Sequence, residues 1–175
     1  MIIETERTII RYFKEDDYED LYNYLSLDEI YEFEPGSPIS MEEAKEAAKE
    51  RADKRNFIAV ADKQTNLLIG HFSFFQAEPE YTRTYEIGFI FNPAFQGKGY
   101  ASESLKAFTS YCFSNLNVHR LEAKCDPANQ KSWKLLERSG FEREGELKKN
   151  IYFREKNGKP LWQNTCVYGL VNPEE

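Results

Sequence analysis

A glycine-containing loop between two regular elements constrains this chain more than any other feature of its sequence. The loop covers residues 96–101 (Gln-Gly-Lys-Gly-Tyr-Ala), after an apolar run that predicts a strand over 85–91 and before an amphipathic run that predicts a helix over 101–116. A helix begins with about four N–H donors that lack partners within it, and its dipole favours an anion at the same place. Gly97 and Gly99 allow the backbone to adopt positive φ and to approach a ligand closely. We therefore predict a phosphate or pyrophosphate site built from main-chain N–H groups.

Two better-known glycine loops do not fit this spacing. A Walker loop needs Gly-x-x-x-x-Gly-Lys-Ser/Thr, a pattern that the sequence lacks. A dinucleotide-binding fold needs a tight turn directly after its strand and a small third residue in the motif. Here residues 92–96 separate the strand from Gly97, and the preceding region predicts antiparallel hairpins.

Composition and charge narrow the class of protein. A chain of 175 residues with 41% hydrophobic and 30% charged side chains predicts one globular domain over residues 1–175. The net charge of −7 argues against general nucleic-acid binding and is compatible with a cationic acceptor such as an amine. No apolar run approaches the roughly 18 residues of a membrane span. The three cysteines form no metal-ligand spacing, so we predict free thiols, a cytoplasmic location and no metal.

Periodicity and turn signals predict the element order β-α-α-β-β-β-α-β-α-β-β, which is a mixed α/β layered fold. Residues 40–43 (Ser-Met-Glu-Glu) predict a capping box that opens a helix running to Lys54. Residues 126–129 (Asp-Pro-Ala-Asn) break the chain and start a short helix, which Gly140 ends. The dipeptide at 157–158 (Asn-Gly) predicts a hairpin between the last two strands.

The order of these motifs resembles the GNAT family of N-acetyltransferases, and within it the RimJ/RimL-like branch. The resemblance rests on the glycine loop, on the pair Asn129-x-x-Ser132 and on residues 137–141 (Glu-Arg-Ser-Gly-Phe). It extends to the first strand, over residues 5–11, and so covers nearly the whole chain. It implies a central, mostly antiparallel twisted sheet with a splayed pair of parallel strands and helices on both faces.

The resemblance also implies acetyl-CoA as the cosubstrate. Its pyrophosphate would lie on the main-chain amides of the glycine loop, and its pantetheine would run beside the preceding strand. Gly88, inside that strand, would mark a bulge or a close backbone approach. The implied binding residues are Phe89, Ile90, Phe91, Gln96, Gly97, Lys98, Gly99, Tyr100, Ala101, Ser102, Asn129 and Ser132.

Transfer of an acetyl group to an amine requires a base, because an alkyl amine with a pKa of about 10 is mostly protonated at pH 7. The resemblance implies that a strand N–H near Phe89 is the oxyanion donor. Glu86, three residues before it in the same strand, is the predicted base, acting through water. Many family members carry a tyrosine acid just before the Glu-x-x-Gly-Phe segment, but this chain has Leu136 there. The resemblance to the RimJ/RimL-like branch implies that Ser132 takes that role. The alternatives are a rim carboxylate for Glu86 and ordinary helix surface for Ser132.

These inferences predict an enzyme that moves acetyl from acetyl-CoA directly to a primary amine, without a metal or a covalent intermediate. The acceptor would be a protein N-terminal amine, such as that of a ribosomal protein, or a small-molecule amine. Segments over 24–40 and 77–83 and the last hairpin would select it. The alternative is a non-catalytic acyl-CoA-binding or sensor protein on the same fold. We expect no nucleic-acid or membrane partner, and a monomer or homodimer.

Overall fold

The computed structural model describes residues 1–175, and its elements follow the predicted order with three short strands added. The strands are β1 (Ile2–Glu4), β2 (Thr8–Tyr12), β3 (Phe57–Asp62), β4 (Leu68–Gln76), β5 (Thr84–Phe91), β6 (Arg120–Cys125), β7 (Glu142–Ile151), β8 (Glu155–Lys156), β9 (Lys159–Pro160) and β10 (Gln163–Val171). The helices are α1 (Tyr18–Leu25), α2 (Met41–Lys54), α3 (Tyr100–Asn115) and α4 (Gln130–Arg138). None of them has the length and apolar character needed to cross a membrane.

Eight strands form one sheet in the order β1-β2-β3-β4-β5-β6-β10-β7. All neighbours are antiparallel except β5 and β6, which run parallel and pair only over residues 84–86 of β5. Beyond Glu86 these two strands separate. The predicted α/β fold, with a mostly antiparallel sheet and a splayed parallel pair, is therefore confirmed.

Alternating side chains give each face of the sheet its own hydrophobic core, since successive residues of a strand point to opposite faces. In β3, Ile58 and Val60 belong to the core beneath α3, whereas Ala59 between them belongs to the core beneath α1 and α2. Phe108 of α3 and Leu21 of α1 are fully buried in these two cores. Helices thus cover both faces, as the resemblance implies.

The helix signals read from the sequence form as predicted. The N–H of Ser40 donates to the Glu43 carboxylate at 2.7 Å, and the N–H of Glu43 donates to the Ser40 hydroxyl at 3.2 Å. At the start of α4, the side-chain oxygen of Asn129 accepts the N–H of Ser132 at 3.2 Å. Gly140 follows α4 with a φ of +93°. These caps satisfy backbone groups that the helices leave open.

Three details of the strands differ from the expectation. The turn at residues 157–158 joins β8 and β9, a separate two-stranded sheet inserted between the last two predicted strands, β7 and β10. The strand β1 is absent from the sequence-based order, because three residues are too few to show a period. Of the two alternatives predicted for Gly88, a bulge or a close backbone approach, the bulge does not form, since Gly88 stands opposite Ser73 in a regular antiparallel register. A Cβ atom at Gly88 would lie 2.5 Å from the Ser73 hydroxyl oxygen, so close packing against β4 accounts for this glycine.

Candidate active site

The separation of β5 and β6 opens a two-part cleft at the carboxyl ends of these strands. The loop half, about 1190 Å³, lies between β5, the glycine loop and α4. The hairpin half, about 820 Å³, lies between β5, the segment that precedes α2, and strands β7 and β10. Residues that line both halves mark the place where they meet. They are Phe33, Glu34, Phe89, Ile90, Asn129 and Ser132.

The glycine loop lines the loop half with its backbone. Gly97 and Gly99 have φ values of +72° and +86°, as predicted. The N–H groups of residues 97–102 have no hydrogen-bond partner within the chain, and Gly99 is the N-cap of the 16-residue helix α3. This is the geometry of an anion site at a helix N-terminus. The residues of this segment that line the cleft are Gln96, Gly97, Gly99, Ala101 and Ser102.

The side chains of Lys98 and Tyr100 do not line the cleft. The Lys98 ammonium donates to the carbonyl of Ala94 at 2.8 Å. Behind the loop, Arg7 donates to the Lys98 carbonyl at 2.8 Å and to the Glu103 carboxylate at 2.7 Å. Its guanidinium also lies 4.7 Å from the centre of the Tyr100 ring. Arg7 therefore supports the loop from outside, a role that sequence reasoning missed because Arg7 and the loop are some 90 residues apart.

Strand β5 presents to the cleft a backbone edge without a strand partner, on which the Phe91 carbonyl accepts from the Gln96 side-chain amide at 2.9 Å. Residues 89–91 pair with β4 on one side, while the pairing with β6 ends at Glu86 on the other. Alternate N–H and C=O groups of an unpaired edge are available to a ligand. All three residues line the loop half. Their contact with a pantetheine chain stays a prediction.

A row of basic side chains on α4 also lines the loop half. Lys131, Lys134 and Arg138 are spaced three and four residues apart, so they share one face of the helix. The Lys131 ammonium donates to the side-chain oxygen of Gln96 at 3.1 Å. This spacing can be read from the sequence, but none of the three residues was among the predicted binding residues. Positive charge beside a main-chain anion site suits a ligand with several phosphates.

Asn129 and Ser132 lie at the junction of the two halves, as the resemblance implies. The position of the usual tyrosine acid is taken by Leu136, which is completely buried in the core beneath α3 and α4. No side chain at that position reaches the cleft. The role of Ser132 as the acid stays a prediction.

Glu86 lines the hairpin half where the parallel pairing of β5 ends. One of its carboxylate oxygens accepts from the Lys124 ammonium at 2.5 Å, and its side chain is 47% exposed. The second oxygen makes no bond within the protein. Glu86 as the base, acting through water, stays a prediction.

Glu34 is a junction carboxylate that sequence reasoning missed. It lies between α1 and α2 and lines both halves of the cleft. It takes part in no ion pair of the protein. Burial raises the pKa of Glu34 to about 7. Residues 24–40 were predicted to contact the acceptor. The burial of Glu34 within that segment could not be predicted, because it depends on packing between segments that are distant in the chain.

The cysteines and histidines do not form a nucleophilic site. All three cysteines are free, and burial raises the pKa of Cys112 and of Cys125 to about 12, which keeps thiolate scarce at neutral pH. His71 is buried, bonded through Nδ1 to the Tyr24 hydroxyl at 2.7 Å, and burial lowers its pKa well below the usual range. His119 pairs with the terminal Glu175 at the surface. No group of three or more His, Cys, Asp or Glu side chains is arranged to hold a metal ion.

Of the three segments expected to select an acceptor, two line the hairpin half. Residues from 25–39 form one wall, and residues of β7 and β10 with the segment between them form another. Residues 77–83 line neither half, and their part in acceptor selection stays a prediction. That segment precedes the amino end of β5, whereas the cleft opens at the carboxyl end, and its Arg83 pairs with Glu175 instead.

A splayed sheet that places an unpaired strand edge beside a helix-terminal anion site is the architecture of an acyl-CoA-dependent acyltransferase. The family profile described as an acetyltransferase (GNAT) domain matches residues 7–142. The chain therefore belongs to the GNAT acetyltransferases and is an acetyltransferase, an enzyme class that uses acetyl-CoA.

Individual relatives agree with this assignment. The protein named uncharacterized N-acetyltransferase YnaD, from Bacillus subtilis (strain 168), is 38% identical over 175 residues and 99% of both chains. A GNAT-family acetyltransferase structure from Bacillus anthracis has a TM-score of 0.90 and 32% identity, over 100% of both chains. The ribosomal-protein-S5-alanine acetyltransferase of Vibrio fischeri has a TM-score of 0.82 and 25% identity, over 99% of this chain and 98% of that one. The predicted resemblance to the RimJ/RimL-like branch is confirmed.

Proposed function

We propose that this protein transfers the acetyl group of acetyl-CoA to a primary amine by direct attack. One observation carries the proposal. The loop half, with its anion site, is continuous with the hairpin half at Phe89, Asn129 and Ser132. A thioester entering from one half therefore meets an amine entering from the other at a single place, which is the proximity that a direct transfer needs.

Three groups of residues would hold acetyl-CoA. The free N–H groups of residues 97–102 suit its pyrophosphate, and the open edge of β5 at 89–91 suits the amides of its pantetheine. The basic face of α4, at Lys131, Lys134 and Arg138, suits its remaining phosphate. Bound acetyl-CoA supplies a thioester that an amine can attack and a thiolate that can leave.

The chemistry of this chain's own residues then follows. A carboxylate removes one proton from the acceptor's ammonium, and the free amine attacks the thioester carbonyl, so that the N–C bond forms and the C–S bond breaks. Ser132 gives its hydroxyl proton to the leaving sulfur and takes up the second proton that the nitrogen loses. An N–H of β5 near Phe89 stabilises the developing oxyanion. Glu86 remains our first candidate for the base. Glu34 is a second candidate, because it lies at the junction and Glu86 does not.

The acceptor is an N-terminal amine of a protein or a small-molecule amine. Similarity to an acetyltransferase of ribosomal protein S5 alanine supports the first class. The hairpin half, whose walls come from two separate segments, has room for either class.

A thiol-release assay with acetyl-CoA against N-terminal peptides and small amines tests this function, with calorimetry of CoA binding alongside. We expect CoA binding and thiol release with at least one class. Tight CoA binding without release across the panel would favour the sensor alternative. Absence of CoA binding by the folded protein would contradict both.

A further inference from the structure

The guanidinium of Arg51 lies in the hairpin half and has no hydrogen-bond or ion-pair partner. It lies in the last turns of α2 and lines the cavity. Its Nη1 atom is buried and has no hydrogen-bond partner, and Arg51 takes part in none of the ion pairs of the protein. A buried donor without a partner is costly, and a charged one more so.

Aromatic packing explains only part of this environment. The guanidinium carbon lies 4.2 Å from the centre of the Phe57 ring and 5.3 Å from that of Phe13. Such contacts engage the flat faces of a guanidinium. Its N–H donors point outward in the plane and need acceptors of their own. The rings therefore hold Arg51 in place without satisfying its donors.

Neighbouring polar groups are already bonded elsewhere. The Tyr24 hydroxyl bonds to His71, and the Tyr31 hydroxyl donates to the carbonyl of Leu25 at 2.8 Å. Burial and the charge of Arg51 together lower the pKa of His71 well below its usual range, so His71 adds no charge to the cavity. None of these groups neutralises Arg51.

Three other charged side chains of the hairpin half have partners within the protein. Lys124 pairs with Glu86, and Asp126 accepts two hydrogen bonds from the chain. Only Arg51 and Glu34 have no charged or hydrogen-bonding partner, and they do not pair with each other. The cavity thus offers one unpaired carboxyl group at its junction end and one unpaired guanidinium along its wall.

We propose that Arg51 binds a carboxylate of the acceptor, so that the acceptor is an amine that also carries a carboxylate group. The inference rests on the proposed function and names its substrate class. A guanidinium binds a carboxylate with two parallel hydrogen bonds. Amines without an anionic group, such as polyamines, leave Arg51 unsatisfied and are poor acceptors. The carboxylate belongs to a free amino acid or to an acidic residue of a short peptide.

Matched acids and amides test the proposal. Thiol release from acetyl-CoA is measured with ω-amino acids from β-alanine to 6-aminohexanoate, each against its carboxamide, and with N-terminal tripeptides that differ only in Asp or Asn. We expect kcat/KM to favour acids over amides roughly 10- to 100-fold in at least one series. The series that responds identifies the source of the carboxylate. Equal rates for acid and amide in both series would overturn the proposal.

Variants connect that preference to Arg51. Arg51→Met keeps the hydrophobic stem and should reduce the acid-to-amide ratio to near one. Arg51→Lys keeps the positive charge but loses the pair of parallel N–H donors, so it should give an intermediate ratio. It replaces Arg51→Met in the test if the methionine variant does not fold. Lys54→Met, in the same helix but paired with Glu50 at the surface, is the control and should keep the full ratio. A ratio unchanged in Arg51→Met would refute the assignment.

A binding measurement separates this proposal from the proposed function. The unfolding temperature of the CoA-loaded protein is measured with each acid and each amide. Stabilisation by acids only, lost in Arg51→Met, supports the carboxylate site. If that result appears while no amine releases thiol, the proposed transfer fails but the anion site stands. If amines react while acids and amides stabilise equally, the transfer stands and the anion site fails.

Discussion

Gly99 illustrates how one residue of the loop meets two separate requirements. Its φ of +86° lies in the left-handed region, where a side chain is strained. A Cβ atom there would also lie 3.1 Å from Nη2 of Arg7, tighter than an ordinary contact. Position 99, beside the N–H groups of the anion site, therefore favours glycine for two reasons: the left-handed backbone conformation and the lack of space for a side chain.

We expect Gly99→Glu to abolish CoA binding, because its side chain would enter the space of Arg7 behind the loop and strain the left-handed backbone, which displaces the N–H groups that would bind a pyrophosphate. Gly158→Glu is the matched control, since Gly158 has a φ of +71° but lies in the β8–β9 turn, with open space around it and outside the lining of both halves of the cleft. Both variants should lose roughly 1–3 kcal/mol of stability through backbone strain. Calorimetry should find CoA binding only in the control. Unchanged CoA affinity in folded Gly99→Glu would contradict the loop assignment.

Glu34 should make stability depend on pH. Burial raises its pKa to about 7, above the value of about 4.3 in an unfolded chain. The folded state then holds the proton more tightly, so the stability contributed by Glu34 is complete below pH 4 and is lost as pH rises through 7. Glu34→Gln should therefore gain unfolding temperature relative to the natural protein between pH 5 and pH 8. A difference that stays constant with pH would show that Glu34 is not buried as described.

Kinetics can show which of the two candidate carboxylates, Glu86 or Glu34, is the base. We expect removal of the true base to lower kcat roughly 10²- to 10⁴-fold while leaving CoA affinity nearly unchanged. Glu86→Gln and Glu34→Gln are compared across pH. The variant that also removes the rising limb of the pH–rate profile identifies the base. A Glu86→Gln enzyme with an unaltered profile would exclude Glu86 from the role.

At the scale of elements, the sequence predicted those helix caps and loops whose structure depends on a local residue pattern. The capping box at Ser40, the glycine loop and the cap at Asn129 carry their own residue signals, and each forms. Arg7, Glu34 and Arg51 were not assigned to the site. Their roles arise from contacts and burial between segments far apart in the chain, which no local pattern records.

The basic face of α4 supports a prediction about one phosphate of the cofactor. We expect Arg138→Met and Lys134→Met to weaken CoA binding several-fold and to weaken binding of dephospho-CoA much less, because that analogue lacks the 3′-phosphate. Lys156→Met is the control, because Lys156 lies in β8 and lines neither half of the cleft. Competition binding with both ligands makes the measurement. Equal losses for CoA and dephospho-CoA would show that α4 contacts another part of the cofactor.

At the scale of the whole molecule, distant parts of the chain close the cleft. Nη2 of Arg154, between β7 and β8, donates to the carbonyl of Tyr31, 123 residues away, and joins two walls of the hairpin half. Arg7 joins the first strand region to the start of α3 through Glu103. Both cores lie on one sheet that runs through the molecule. The site therefore depends on the fold as a whole.

That dependence predicts how the protein unfolds. If residues 1–175 form one domain, heat should unfold them in one cooperative transition, and CoA should shift that transition as a unit because its proposed contacts span β5, α3 and α4. At CoA concentrations of about 100 times Kd, binding adds about 2.7 kcal/mol, a shift of roughly 5–10 °C for a chain of this size. Calorimetric and circular-dichroism curves should coincide with and without CoA, and Gly99→Glu should show no shift. Two transitions, only one of which responds to CoA, would mean that the cleft belongs to a part of the chain that folds independently.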